Sequence, residues 1–175
     1  MYKLFIIRLI LVFFPFAAMS QETKIQLTEK VSISFPEKPT VRDMQGISIQ
    51  HTVRLADSTA NFYAVAINLE KSNGMSASML ETAQQDPSFW EQAEKSFVAQ
   101  LGSDAEVSFS EVKEIGEKQI LHLVVSATRN GKKSEMTVYV FVEGVHTINI
   151  VHQKRSQDAS VELKNKYFGS LQINK

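Results

Sequence analysis

The chain has 175 residues, 43% of them hydrophobic, with 19 basic and 19 acidic groups, seven glycines, four prolines and no cysteine. That size and composition suit one globular domain, and the charge balance gives no electrostatic case for nucleic acid or an anionic membrane surface. The lack of cysteine excludes disulfides, thiol nucleophiles, thiolate metal sites and the lipid-modified cysteine of an exported lipoprotein.

The first twenty residues follow an export logic. Lys3 and Arg8 precede the almost wholly apolar Leu9 to Ala18, and Ala18-Met19-Ser20 supplies small residues before Gln21. This is the pattern of a secretory signal peptide, with cleavage expected after Ser20. The competing reading, a membrane anchor, needs about 20 apolar residues, whereas this core is bounded by Arg8 and interrupted by Pro15. Removing residues 1–20 takes away two basic groups and no acid, leaving a net charge of minus two. A periplasmic or secreted bacterial protein is expected, with residues 21–175 as a single domain and no membrane span after cleavage.

Lys24 to Leu27 alternates as a short edge strand would, and Val31, Ile33 and Phe35 share one face of a second strand. Pro36 and Pro39 stop the pairing there, since neither can donate to a ladder. Thr40 to Gly46 reads as a polar connection. In the next strand Ile47, Ile49, Val53 and Leu55 are expected inward, with Ser48, Gln50, Thr52 and Arg54 wet. After a turn at Asp57-Ser58, residues Asn61 to Leu69 put Tyr63, Val65, Ile67 and Leu69 on one face and Phe62, Ala64 and Ala66 on the other, predicting an interior strand covered on both sides.

Residues 70–88 turn polar. Met75, Met79, Leu80 and Ala83 allow one short helix, and flexible methionines there would suit a mobile flap over an adaptable apolar groove; an ordinary crossover is the plainer alternative. Asp86-Pro87-Ser88 starts a firmer helix, with Asp86 or Ser88 as cap, an inward stripe of Trp90, Ala93, Phe97 and Leu101, and Gly102 as exit. A strand follows from Glu106 to Ile115. The stretch Gln119 to His152 is the most strongly patterned: three strands joined by turns at Asn130-Gly131 and Glu143-Gly144. Within Gln157 to Ser170 a last helix is predicted, with Val161, Phe168 and Leu171 inward. The class is α+β: a largely antiparallel sheet of about six to seven strands, flanked on both faces by two to three helices.

Candidate chemistry is sparse. His146 and His152 share a strand face but lie about 20 Å apart at 3.3 Å per residue, too far to share an ion; His122 could sit across from either on a neighbouring strand, with no carboxylate at ligand spacing. Structural or surface roles are therefore expected for the histidines, and no metal or other cofactor. The serines Ser72, Ser76 and Ser78 lie in polar segments with no G-x-S-x-G or S-x-x-K, which leaves only a triad assembled from distant residues. Glu111, Glu114 and Glu117 read as solvated edge charges rather than an acid–base pair. The seven glycines are scattered singly, unlike a phosphate cradle. Arg129 to Lys133 and Lys154-Arg155 read as solubilising tips, with an acidic-partner contact as the alternative. Phe89 and Trp90 could anchor a ligand, but Trp90 falls on the helix stripe and is read as core.

The layout resembles the PsbP-like fold of small exported proteins. The features that carry the resemblance are the early strand ending Phe35-Pro36-Glu37-Lys38-Pro39, the paired strands at 47–69, the late three-stranded meander, and the closing Tyr167-Phe168-Gly169-Ser170-Leu171. The resemblance covers about residues 24–173 and implies non-catalytic binding, assembly or stabilising roles; no photosynthetic or metal-binding residue carries over. The expected function is that of an exported, non-enzymatic accessory or binding protein of the envelope, a monomer whose partner is a protein or a small apolar ligand. A small exported hydrolase and a lipid- or peptide-binding protein are the alternatives, the last requiring an apolar pocket beneath residues 70–85.

Overall fold

The computed structural model describes residues 22–129 and 131–174. The expected signal peptide, its expected cleavage after Ser20, and Asn130 of the expected Asn130-Gly131 turn lie outside the described residues.

Seven strands form one wholly antiparallel sheet. β3 (Thr40–Met44), β4 (Ser48–Arg54) and β5 (Ala60–Asn68) make one meander, and β6 (Glu106–Ile115), β7 (Lys118–Arg129), β8 (Lys132–Glu143) and β9 (His146–Lys154) make another. The two are joined edge to edge by β5 against β9, from Ala60↔Lys154 to Asn68↔His146, giving the order β3-β4-β5-β9-β8-β7-β6. Between the meanders run three helices, α1 (Leu69–Asn73), α2 (Ala77–Ala83) and α3 (Pro87–Leu101). The ends of the chain form a second sheet: β1 (Thr23–Gln26) and β10 (Gln172–Ile173) flank β2 (Val31–Phe35), with α4 (Val161–Gly169) leading into β10.

Alternation along each strand divides the core into two layers. On one face Phe62, Ala64, Ile148, Ile150, Phe141 and Ile120 pack with Val31, Ile33 and Phe35 of β2 and Tyr167 of α4. On the other, Leu121, Leu123, Val125, Val138 and Val151 pack with Trp90, Ala93, Phe97 and Leu101 of α3. Each fully buried aromatic or aliphatic side chain contributes about 1.5–3 kcal/mol. The expected helical cover on both faces is present, but on one face a small sheet shares the work with α4.

Local chemistry explains most boundaries. Asp86 caps α3 by accepting from Ser88 N at 2.9 Å, with Pro87 in the first turn; Ser88 is therefore not the cap. Ser160 caps α4 through Leu163 N. Gly131 (φ 70), before β8, and Gly144 (φ 58), in the two-residue β8–β9 turn, lie in the left-handed region, where a Cβ would be strained. The second turn is Gly144-Val145, one residue later than expected.

Several expectations need correcting. Thr40 to Gly46 contains β3, an edge strand exposed throughout its length; its pairing with β4 buries too little to leave an apolar pattern. Ile47 and Ile49 are exposed, because the covering layer stops short of this corner of the sheet, and Ser48 on the other face, expected wet, is buried. Leu69 begins α1 rather than ending β5, and residues 70–85 hold two short helices, with Leu80 buried and Met79 exposed. In α4, Val161 is 63% exposed and Tyr167 is the buried residue; Phe168 and Leu171 do pack inward.

The closing segment shows how α4 is fastened. Tyr167 Oη donates to the Tyr63 carbonyl at 2.6 Å, and Phe168 packs against Tyr139 with ring centroids 4.4 Å apart and the planes tilted by 42°. Ser170 Oγ accepts from Ser34 N at 2.9 Å, tying the helix exit to β2. Each residue of that segment except Gly169 therefore makes a contact that holds the chain's end over the sheet.

Candidate functional site

The described histidines do not form a metal site. β8 separates β7 from β9, so His122 is not on a strand next to His152; it pairs with Tyr139, which in turn pairs with Ile150. His146 lies opposite Glu143 at the β8–β9 turn. His51 and His152 are buried among rings, His51 with Phe35 at 6.4 Å and His152 with Phe62 at 5.1 Å. Burial lowers the pKa of both, to about 4 for His152, where Lys164 and Lys154 add to the effect. They are neutral core imidazoles. Among the described residues no group of three or more His, Asp or Glu is arranged to hold an ion.

The serines of the polar segment serve the helices: Ser76 caps α2 through Met79 N, and Ser72 bonds Asn73. Glu111 is more than a solvated charge, since its Oε1 lies 3.6 Å from His122 Nδ1. That is an electrostatic contact, too long for a hydrogen bond. Trp90 is core as expected, 5% exposed, its Nε1 donating to Gln84 O at 3.2 Å and Gln119 Oε1 at 3.3 Å, with Phe89 edge-on at 5.0 Å.

What the sequence reading missed is a continuous path of rings. It starts in the core, where Tyr167 sits 5.3 Å from Phe35 and 5.0 Å from Phe62. From Tyr167 it passes to Phe168 (5.5 Å), Tyr139 (4.4 Å), His122 (5.0 Å) and Phe109 (5.0 Å), which is 42% exposed on the edge strand β6. Strand parity places these rings on one face: Tyr139 on β8, His122 opposite it on β7, and Glu111 opposite that on β6. Alternation along β6 puts Phe109, two residues before Glu111, on the same face, and a bulge between Val107 and Phe109 then shifts the register of the strand's start.

Where α4 ends, His122, Tyr139 and Phe168 border an open cleft of about 390 Å³. Its walls include Ile115, His122, Tyr139, Lys164, Phe168 and Leu171. Lys113 Nζ donates to Tyr139 Oη at 2.8 Å, fixing the phenol. Burial, then the positive charges of Lys113 and Lys164, pull the His122 pKa below its usual value against the opposing pull of Glu111. The cleft thus offers aromatic surface, a neutral imidazole and two ammonium groups at its margin. Parity alone would have placed Tyr139 and His122 on a common face had β7 and β8 been paired in register; nothing in the sequence placed Phe168 over them.

The basic tips are also better placed than expected. Lys132, Lys133 and Arg155 converge with Arg54 on the opposite face, at the far end of the sheet. None of the clefts described here is lined by a residue of 70–88.

No family model and no curated protein matches the chain. Among solved structures, cyanobacterial PsbP (CyanoP) from Synechocystis sp. PCC 6803 is similar at a TM-score of 0.53 and 12% identity, over 90% of this chain and 95% of that one. A protein from Bacteroides thetaiotaomicron VPI-5482 is similar at a TM-score of 0.50 and 14% identity, over 90% of this chain. This chain spans 50% of the Bacteroides protein's length. At such identities the likeness concerns architecture, and it agrees with the one read from the closing segment and the meander: the chain has the PsbP-like fold.

Proposed function

We propose that the chain is an exported, non-catalytic binding or accessory domain of the cell envelope, and that it engages its partner through the aromatic cleft at the end of α4. The observation that carries this is the exposed end of the ring path. His122, Tyr139 and Phe168 border an open volume of about 390 Å³ that suits an apolar side chain or small apolar ligand, and Phe109, edge-on to His122, continues the ring path beside it to the exposed edge strand. Two features support a binding rather than a catalytic role. Among the described residues no hydrogen bond joins a histidine to a serine or threonine hydroxyl, and the imidazole at the cleft packs edge-on against Phe109 and Tyr139, with Glu111 Oε1 at 3.6 Å. Export is supported by the basic-then-apolar N-terminus, and no helix among the described residues is long and apolar enough to cross a membrane.

The test is photo-crosslinking in the native cell, with the reactive amino acid at Phe109 or Asn165 and, as control, at Glu91 on the solvated side of α3. A discrete adduct at the first two positions and none at the third is expected. Equal labelling at all three would refute the cleft as the contact. Recovery of the chain only from the cytoplasmic fraction, with its N-terminus intact, would refute export.

A further inference from the structure

On the face of the sheet opposite the aromatic cleft, beyond the end covered by α3, lies a second open cleft of about 560 Å³. Its chemistry is the reverse of the first. Four cations border it: Arg54 from the end of β4, Lys132 and Lys133 from the start of β8, and Arg155 just past β9; no Asp or Glu lines it. All four side chains are exposed. Lys133 reaches Glu106 at 4.0 Å, and no ion pair is formed by Arg54, Lys132 or Arg155 among the described residues.

The floor is polar and fixed. Asn61, only 3% exposed, donates through Nδ2 to Tyr63 Oη and to Gln153 Oε1, both at 2.9 Å. Tyr63 Oη donates to Gln153 Oε1 at 3.2 Å, and Gln153 Nε2 donates to Ser134 Oγ at 3.2 Å. Register explains the assembly: Arg54 pairs with Asn61 and Asn61 with Gln153, so the three lie in one row across β4, β5 and β9. Alternation then puts Tyr63 and Arg155 on the same face two residues away. The network leaves one Gln153 N–H and the Asn61 side-chain carbonyl outside the bonds just given, a donor and an acceptor held by rigid strands.

Surface lysines at hairpin tips ordinarily repel one another into solvent and need no explanation. Here four cations from three separate segments share one concavity over a hydrogen-bonded amide–phenol floor whose Asn61 is buried. Two of them are arginines, whose planar forks match phosphate oxygens. We propose that this cleft binds a phosphorylated, hydroxyl-rich molecule such as a sugar phosphate, the Arg54, Lys132 and Arg155 side chains holding the phosphate and the Asn61–Tyr63–Gln153–Ser134 network meeting the hydroxyls. The phosphate could come from a free sugar phosphate or from a phosphoinositide headgroup; the site chemistry is the same. No residue of the aromatic cleft takes part, so crosslinking at Phe109 and binding here succeed or fail separately.

The test is isothermal titration of the full chain at pH 7 with glucose 6-phosphate, glucose and inorganic phosphate, alongside sedimentation with vesicles carrying phosphatidylinositol 4-phosphate. Glucose 6-phosphate should bind saturably and at least about tenfold more tightly than inorganic phosphate, with affinity falling as salt rises. Arg155→Ala with Lys132→Ala should weaken binding by about tenfold or more at an unchanged melting temperature, since both side chains are exposed. Arg54→Gln supplies an independent check, and Tyr63→Phe should weaken the sugar phosphate but not inorganic phosphate. Binding to the vesicles alone, lost in the same variants, would support the proposal and assign the source to a lipid headgroup. Absence of binding to both sugar phosphate and vesicles, inorganic phosphate binding as tightly as the sugar phosphate, or binding insensitive to the variants would each overturn it.

Discussion

Tyr167 is the residue on which the attachment of α4 depends, and two substitutions separate its two contributions. Tyr167→Phe removes only the hydroxyl that donates to the Tyr63 carbonyl at 2.6 Å, keeping the ring between Phe35 and Phe62. A net hydrogen bond is worth about 1 kcal/mol. Tyr167→Ala also removes the ring from a site 2% exposed, a deletion that costs about 3–5 kcal/mol. Urea unfolding followed by both far-UV circular dichroism and Trp90 fluorescence reads the two losses, coincident curves confirming a single transition. In melting temperature each kcal/mol is worth about 2–4 °C for a domain of this size. Burial also raises the phenol pKa well above 10.0, so the unfolded chain releases this proton first. Stability should therefore decline as pH rises above about 10, and Tyr167→Phe should lose that decline. A Phe variant as stable as the parent, or an Ala variant no worse than the Phe variant, would refute the assigned role.

The pair Lys118–Glu143, 2.8 Å apart with the carboxylate side chain 11% exposed, should respond unlike Lys95–Glu91, whose partners are 78% and 70% exposed. Lys118→Met should cost about 1–3 kcal/mol and be largely restored by adding Glu143→Gln, while Lys95→Ala stays within about 0.5, as a double-mutant cycle by urea denaturation would measure. His152 takes up its proton near pH 6.5 when unfolded and near 4 when folded. Its contribution to stability is complete above pH 6.5 and is lost as pH falls toward 4, on the order of 3 kcal/mol. His152→Leu should flatten that slope; an unchanged slope would assign the acid sensitivity elsewhere. Trp90, the sole tryptophan, reports α3 on the sheet: iodide should fail to quench it until unfolding, and quenching in native buffer would mean that α3 lifts from the sheet.

The strands that bury a face were legible from the residues, because alternation is written wherever one side must be dry. Val31, Ile33 and Phe35 of β2, and Phe62, Ala64 and Ala66 of β5, are buried as their spacing predicts. β3 was not legible for the same reason in reverse: Thr40–Met44 is exposed at every position, so hydrophobicity has nothing to record. Ile47 and Ile49 misled because an apolar residue on the correct parity is buried only if something covers that end of the sheet. Val161 misled similarly, since a nine-residue helix holds few turns and Tyr167, with its polar tip, proved the better inward residue.

Neither cleft could be read from the chain, and the cause is the β5–β9 pairing. It joins residues about 90 positions apart, as in the Asn61 Nδ2 bond to Gln153 Oε1, and no local signal selects it among the alternatives. Once that pair is set, consequences follow on both faces. Arg54, alone at the end of β4, is carried to the row that ends at Gln153, and the Lys132-Lys133 and Arg155 tips come to border one concavity instead of two solvated ends. On the opposite face, Phe62 and His152 are brought into register beneath Tyr167, which starts the ring path that emerges at Phe109. The most strongly patterned stretch, Gln119 to His152, supplies the frame for this. To the groups it contributes itself, such as His122, Tyr139 and Lys132, it adds what the fold brings to the two clefts from elsewhere: Arg54 and Asn61 from the first meander and Phe168 from the closing helix.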